Sequence, residues 1–186
     1  MRKLIFGINI TIDGCCDHTK GKGDQDVHDY FKDLIQEADL LVYGRKTYEL
    51  MVPFWPDVAR TNSAPTRSMN EFAQVFTATD KLVFSTTLSQ VDEPRTRIVR
   101  TDPVAEIQRL KQEPGGDMLL GGVVLPSYLI EQGLVDEYRI VVQPLLAGEG
   151  TRLMKGINLA SSLELKLIAS KVFPSGNVAL HYVKPD

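Results

Sequence analysis

Apolar and polar residues alternate along the chain in blocks that predict strands and helices in turn. Residues 3–12 are rich in Ile and Phe and predict a buried strand, which ends at Asp13-Gly14. From Val27 to Ala38 the apolar residues recur every three or four positions, which is the pattern of an amphipathic helix. Either Asp24 or Asp26 can cap that helix. The first part of the chain therefore favours a strand followed by a helix.

The same alternation continues through the middle of the chain. Short apolar runs predict buried strands at 39–43, 81–84, 97–100 and 118–120. Helices are predicted at 44–49, 68–76, after the Asp102-Pro103 cap, and from the Gly121-Gly122 pair to Gln132, with a stop at Gly133. The stretch 53–80 is the least regular, and a connection of that length commonly borders a functional site.

The pattern changes after Gly133. Residues 135–146 predict a long strand, and residues 163–173 and 178–183 predict two strands joined by the turn Pro174-Ser175-Gly176-Asn177. Strands that alternate with helices and then close with antiparallel strands indicate an α/β fold. We expect three layers, αβα, around a mixed, mostly parallel sheet, in a single domain over residues 1–186.

Composition and charge narrow the functional classes. The chain has 186 residues, is 43% hydrophobic and carries a net charge of −3, so nucleic acid and anionic membranes are not expected as partners. The two cysteines, Cys15 and Cys16, are adjacent, and we predict neither a disulfide nor a metal site. The apolar run near the N-terminus is broken at Gly7 and Asn9, and no stretch is long enough to span a bilayer. We therefore expect a cytoplasmic protein.

Candidate chemistry lies just after the predicted strands. In an open α/β sheet, ligands bind beyond the carboxyl ends of the parallel strands. These positions hold glycines, hydroxyls and basic side chains: Asp13, Gly44, Arg45, Lys46, Thr47, Ser85, Thr86, Thr87, Arg100, Gly121 and Gly122. Such residues suit a ligand with several phosphates. The spacings G-x-G-x-x-G, G-x-x-x-x-G-K-[ST] and G-x-S-x-G are absent, which argues against a standard Rossmann site, a P-loop NTPase and an α/β-hydrolase.

Five stretches in order resemble a known family. They are Ile10-Thr11-Ile12-Asp13-Gly14, Gly44-Arg45-Lys46-Thr47-Tyr48-Glu49, Val83-Phe84-Ser85-Thr86-Thr87-Leu88, Gly115-Gly116-Asp117-Met118-Leu119-Leu120-Gly121-Gly122 and Gly133-Leu134-Val135-Asp136-Glu137-Tyr138. They are similar to motifs of the dihydrofolate-reductase-like superfamily. Within it they resemble the reductase domain of the bifunctional deaminase-reductase of riboflavin biosynthesis and its stand-alone bacterial relatives.

The resemblance implies the dihydrofolate-reductase-like fold, NADPH as cofactor, a small-molecule substrate and a homodimer. It implies that Gly44, Arg45, Lys46 and Thr47 hold the pyrophosphate or the adenosine phosphate, and that Ser85, Thr86 and Arg100 meet the 2′-phosphate side. Five residues would lie along the pyrophosphate and the nicotinamide ribose: Gly121, Gly122, Val123, Val124 and Leu125. Ile8, Asn9 and Asp13 would lie near the nicotinamide and the substrate, with Asp13 as the candidate catalytic residue.

Two departures from the family patterns limit what the resemblance implies. Folate reductases carry a carboxylate four residues before Phe-Lys; Phe31-Lys32 is present here, but that position is Val27. The zinc-deaminase signature is also missing. The first expectation is thus a reductase of a ribosylamino-pyrimidine. A pterin or dihydrofolate reductase and a nucleotide-binding protein of the same fold without catalysis remain alternatives.

Individual residues keep two readings at this point. Asp13 can protonate or orient a substrate ring, or it can be a turn residue before Gly14. Arg45 and Lys46 sit at the start of a predicted helix, where the helix dipole disfavours cations, so a bound anion would explain them. Trp55 can pack in the interior or cover a flat ring.

Overall fold

The computed structural model describes residues 1–157 and 159–185 and confirms the three-layer α/β architecture. Its described strands are β1 (Leu4–Thr11), β2 (Ala38–Gly44), β3 (Asp80–Phe84), β4 (Thr96–Val99), β5 (Asp117–Leu120), β6 (Glu137–Gln143), β7 (Lys166–Val172) and β8 (Val178–Val183). Its described helices are α1 (Gln25–Gln36), α2 (Arg45–Met51), α3 (Phe54–Thr61), α4 (Arg67–Ala78), α5 (Pro103–Gln112) and α6 (Val124–Glu131).

The sheet has the order β4-β3-β2-β5-β1-β6-β8-β7. Strands β1 to β6 all run parallel, and β8 and β7 are added antiparallel at one side. β1 lies at the centre, where Leu4 pairs with Met118 of β5 and Ile5 pairs with Glu137 of β6. All six parallel strands therefore end on the same side of the sheet, which we call the carboxyl edge.

Alternation along β1 explains the layers. Leu4, Phe6 and Ile8 enter a core cluster with α5 and α6, whereas Ile5 enters a second cluster with α1 to α4. Successive side chains of a strand point to opposite faces, so one strand supplies both cores. Helices therefore cover both faces of the parallel sheet, as a buried parallel sheet requires.

Helix α3 is the main element that the sequence pattern did not predict. The stretch from Pro53 was interpreted as irregular, yet Phe54–Thr61 is helical and ends at Asn62, which has a left-handed backbone with φ of 51°. Trp55 is only 9% exposed and packs edge-on against Phe72 of α4, with 4.6 Å between ring centroids. Packing against α4 therefore gives Trp55 a core role.

Strand ends also differ from the expected boundaries. β6 ends at Gln143 rather than Leu146, because Pro144 follows and the backbone N–H of Leu145 donates to the carbonyl of Gln143. Helix starts were predicted more closely, since Asp24 caps α1 and Asp102 caps α5 through side-chain hydrogen bonds. Within the two described ranges, no helix combines the length and apolarity needed to cross a bilayer.

Candidate functional site

The carboxyl edge collects the loops that the sequence singled out. Residues after β1, β2, β3, β4 and β5 emerge there side by side, because these strands are parallel neighbours in the sheet. Gly44 at the end of β2 is paired with Phe84 at the end of β3. The loops that start at Gly44, Ser85 and Gly121 therefore adjoin one another, while the roles assigned to their residues stay predictions.

The turn between β5 and α6 presses against the start of α2. Gly122 has φ of 97°, and a Cβ added there would collide with Oγ1 of Thr47. A Cβ on Gly121 would lie 2.6 Å from Cε1 of Tyr43, which real side chains do not tolerate. Glycine is thus required at both positions by close approach, and at Gly122 also by backbone conformation. Thr47 and Tyr43 fill the space beside these glycines, so the backbone of the turn and the start of α2 form one continuous surface.

Two helices begin at this surface without side-chain caps. Val123 is the N-cap of α6 and Gly44 is the N-cap of α2, and neither makes a side-chain cap hydrogen bond. The first N–H groups of a helix have no partner inside the helix, so they remain free for an anion. Val124 is 74% exposed, whereas Leu125 is buried in the core and can offer only its backbone.

Arg45 and Lys46 differ in their surroundings. Arg45 Nη1 lies 2.9 Å from Oε2 of Glu49, one turn along α2. That ion pair compensates the charge of Arg45 locally, so the argument that Arg45 needs a bound anion loses force. Lys46 is exposed and has no ion-pair partner in residues 1–157 and 159–185, which leaves it the freer cation of the two.

The loop after β3 is organised by its own side chains. Oγ of Ser85 accepts hydrogen bonds from the backbone N–H of Thr87 at 3.3 Å and of Leu88 at 2.9 Å. Nη2 of Arg100 donates to the carbonyls of Leu88 and Ser89. Ser85 and Arg100 therefore shape this loop, while Thr86 is exposed at its tip.

Asp13 joins the end of β1 to the loop after β6. Its carboxylate accepts hydrogen bonds from the backbone N–H of Ala147 at 3.1 Å and of Gly148 at 2.9 Å, and from the hydroxyl of Thr11. Nη2 of Arg152 lies 3.3 Å from the same carboxylate, and Nη1 of Arg152 donates to the Asp13 carbonyl. The carboxylate is therefore well supplied with donors by the protein itself.

These donors change the acidity of Asp13. The hydrogen bond from Thr11, followed by those from Ala147 and Gly148, holds the pKa of Asp13 well below its usual value. Asp13 is thus an anion at neutral pH, which fits orientation of a ligand better than proton donation. Its catalytic role stays a prediction.

The ionised state of Asp13 can be measured directly. In a carboxyl ¹³C NMR titration, with the signal assigned by its loss in Asp13→Asn, we expect no titration of Asp13 between pH 3 and 7. An ordinary exposed aspartate titrates near pH 4 in the same spectra and serves as the internal control. A midpoint for Asp13 in the range 5–7 would contradict the anionic role.

Asn9 lies near the carboxyl end of β1. It shares the face of Ile5, toward α1, and pairs with Val141 of β6. Its side-chain amide is half-buried and makes no hydrogen bond within the described part of the chain. The predicted place of Asn9 near the nicotinamide remains a prediction.

The sequence interpretation missed the residues after β6. A cavity of about 170 Å³ beside α6 is lined by Val123, Val124, Ser127, Thr151, Arg152, Lys155 and Ile157. Only Val123 and Val124 belonged to the expected site. The other side chains come from a segment far along the chain that carries no recognised motif, although the glycines before it, Gly148 and Gly150, signalled a special backbone.

Comparisons with known proteins agree with this architecture. A model of the RibD C-terminal domain family matches residues 2–179. The protein YyaP of Bacillus subtilis, itself uncharacterised, is 30% identical over 185 residues, covering 97% of this chain and 94% of YyaP. A putative riboflavin biosynthesis protein from Shewanella sp. PV-4 superposes with a TM-score of 0.71 at 22% identity, with both chains fully covered. A pyrimidine reductase-like protein from Corynebacterium diphtheriae gives a TM-score of 0.69 at 16% identity, covering all of this chain and 93% of that one.

Proposed function

This chain belongs to the RibD C-terminal domain family, and we propose that it is an NADPH-dependent reductase of a small nitrogen heterocycle. The observation that carries the proposal is the contact between Gly122 and Thr47. It brings two helix starts without side-chain caps onto one surface at the carboxyl edge, where α/β sheets bind ligands. The named relatives, a pyrimidine reductase-like protein among them, support a reductase and a pyrimidine-type ring.

The residues present fit a dinucleotide. The backbone of Gly121 to Leu125 and of Gly44 to Thr47 would hold the pyrophosphate, because free N–H groups and close approach are what a pyrophosphate requires. Lys46 and Thr86 are exposed and would reach the adenosine phosphates. When bound, NADPH would supply the hydride, and the protein would bind and orient the two rings and exclude water between them.

The substrate we propose is a ribosylamino-pyrimidine of the riboflavin type. Val27 in the position of the folate-reductase carboxylate supports this choice over a folate, since Val27 is buried and apolar. The anionic Asp13 would orient a ring N–H or an amino group rather than donate a proton.

A second candidate is a nucleotide-binding protein of the same fold without catalysis. The observation that favours it is the saturation of Asp13, the candidate catalytic carboxylate, by hydrogen bonds from its own chain. Cofactor binding would be common to both candidates, and turnover would separate them.

Titration with NADPH tests the proposal. We expect a dissociation constant in the micromolar range, and binding of NADH that is weaker by about tenfold or more, because loss of the 2′-phosphate removes charge-assisted hydrogen bonds. Fluorescence of the bound dihydronicotinamide, or calorimetry, gives both constants. Absence of binding at millimolar NADPH would refute both candidates.

Turnover then distinguishes the reductase from the nucleotide-binding protein without catalysis. NADPH oxidation is followed at 340 nm with a ribosylamino-pyrimidine and with a dihydropterin in parallel. Oxidation that depends on the pyrimidine supports the first candidate, oxidation that depends on the pterin replaces the proposed substrate, and tight binding without oxidation supports the second.

We also propose that the protein forms a homodimer through β7. Among the described strands, β7 pairs with β8 alone, and Leu167, Ile168 and Val172 on it are at least half exposed. An open, apolar strand edge readily pairs with another strand. The mass in solution, measured by light scattering, is the test.

A further inference from the structure

The cavity beside α6 has an unusual charge balance. Two of the side chains that line it, Arg152 and Lys155, are cationic, and none of its lining residues among 1–157 and 159–185 is a carboxylate. The whole chain, by contrast, has a net charge of −3. A second cavity, of about 200 Å³ between α1 and β6, carries both signs, with Arg139 and Lys171 facing Asp33 and Glu37. The cavity beside α6 is therefore complementary to an anion and the second one is not.

Part of the positive charge at this cavity has no partner among the described residues. Arg152 donates through Nη1 to the Asp13 carbonyl and through Nη2 to the Asp13 carboxylate. Three of its five N–H groups therefore remain without a described acceptor. Lys155 is exposed and makes no ion pair or side-chain hydrogen bond among residues 1–157 and 159–185. Asp13 compensates the charge of Arg152, so the charge at the cavity without a partner among the described residues is that of Lys155, and the remaining N–H groups of Arg152 can add hydrogen bonds to an anion.

The segment that carries these cations is held against α6. The backbone of Arg152 bridges to Cys15, and the N–H of Cys16 donates to the Thr151 carbonyl at 2.8 Å. Oγ of Ser127, which is buried in α6, accepts from the N–H of Met154 at 3.2 Å. Met154 has φ of 61°, a left-handed conformation that costs free energy in a residue with a Cβ. The turn is therefore held in a strained shape that sets Arg152 and Lys155 across from the start of α6.

Chemical complementarity identifies the ligand class. A phosphate group offers several acceptor oxygens, which suit the planar guanidinium of Arg152 and the mobile ammonium of Lys155. Val123, Val124 and Ile157 give the cavity an apolar wall against which the organic part of a ligand can pack. The volume of about 170 Å³ accommodates a phosphate and a few attached atoms rather than a whole dinucleotide.

We propose that this cavity is a phosphate subsite in which Arg152 and Lys155 bind a phosphorylated ligand. It adjoins the surface formed by the β5–α6 turn and the start of α2. The inference rests on the proposed function for its setting, because Val123 and Val124 border both places. The phosphate belongs either to the substrate, as a phosphate ester on its sugar, or to the cofactor. Arg152 then has two roles, since it also holds the loop of Asp13.

The test uses inorganic phosphate and ribose 5-phosphate as probes, followed by ¹⁵N NMR on the full chain. We expect shifts that map to the amides of Val123, Val124 and Ser127 and of residues 151–157, and Lys155→Glu should weaken both probes by about tenfold or more. Arg152→Gln serves as a second variant. Arg95→Glu makes the same charge change just before β4, at the opposite edge of the sheet, and is the matched control. Lys155 has no described partner, so its variant should keep the fold, which the same spectra verify.

Each outcome has a defined meaning. Weaker phosphate binding in Lys155→Glu with an unchanged NADPH constant assigns the subsite to the substrate, and a matching loss for NADPH assigns it to the cofactor. Phosphate binding that is absent, or equally strong in Lys155→Glu and Arg95→Glu, overturns the proposal. Phosphate binding at this cavity without any NADPH binding would support the subsite while refuting the proposed reductase.

Discussion

Replacing Gly122 by alanine is expected to lower NADPH affinity by more than about a hundredfold and to destabilise the fold by about 2–3 kcal/mol. Two physical effects add at this position. The backbone has φ of 97°, which a residue with a Cβ adopts only at a cost, and the new methyl group would collide with Oγ1 of Thr47. Relief of the collision must separate the β5–α6 turn from the start of α2, which removes the surface proposed for the pyrophosphate.

Gly133→Ala is the matched control for this variant. Gly133 also has a positive φ, 69°, but the nearest atom to its added Cβ is the flexible end of Lys184 at 3.9 Å. It follows the opposite end of α6, so its replacement should cost about 1 kcal/mol of stability and leave NADPH affinity unchanged. Urea denaturation and NADPH titration of both variants make the comparison. Equal NADPH constants for Gly122→Ala and the wild type would show that the contact with Thr47 is not part of a cofactor site.

Replacing Glu137 by alanine is expected to cost about 1–2 kcal/mol of unfolding free energy at pH 7. Glu137 is 6% exposed at the start of β6 and accepts hydrogen bonds from Lys3 at 2.6 Å, His181 at 2.8 Å and Arg139 at 3.3 Å. Its removal takes the shared acceptor from Lys3, which precedes β1, from Arg139 on β6 and from His181 on β8. Lys3 is 56% exposed and stays solvated, so most of the cost comes from Arg139 and His181, which are largely buried.

The direction in which the stabilisation by Glu137 changes with pH follows from the pKa of its carboxyl group. Burial alone would raise the pKa of Glu137, but the hydrogen bonds from Lys3 and His181 outweigh it and the pKa lies below its ordinary value. Because the folded pKa is depressed, the contribution is present above the unfolded pKa, near 4.3, and is lost as the pH falls through the folded value. The difference in unfolding free energy between wild type and Glu137→Ala, measured by urea denaturation, should thus become smaller below about pH 4. Glu164→Ala, an exposed acid in a loop, should match the wild type at each pH; a gap that widens in acid would contradict this account.

Local patterns predicted most of the fold. Residues 3–12, rich in Ile and Phe, indicated a buried strand, and the structure confirms it as β1, which contributes to both core clusters. Asp24 and Asp102 announced helix starts because a capping carboxylate acts on residues two or three positions away. Features of that kind are readable from a single stretch of chain.

Features that depend on distant residues could not be predicted in this way. Helix α3 begins after Pro53 with two aromatic residues, and the burial of Trp55 against Phe72 decides its conformation. The engagement of Asp13 depends on Arg152, which lies 139 positions along the chain. The sequence therefore indicated which loops meet at the carboxyl edge, while the partners inside those loops and the cavity beside α6 emerged only from the packing.

The central place of β1 in the sheet has a consequence for biosynthesis. On one side of β1, Leu4 pairs with Met118 of β5, and on the other side Ile5 pairs with Glu137 of β6. As the chain leaves the ribosome, neither hydrogen-bonding edge of β1 can be paired before Met118 has been made, and the second edge stays open until Glu137 has been made. Such distant pairings close slowly, since large loops must be ordered first. The nascent chain therefore carries an unpaired, strongly apolar strand through most of its synthesis, and this is the stage at which chaperones would protect it from aggregation.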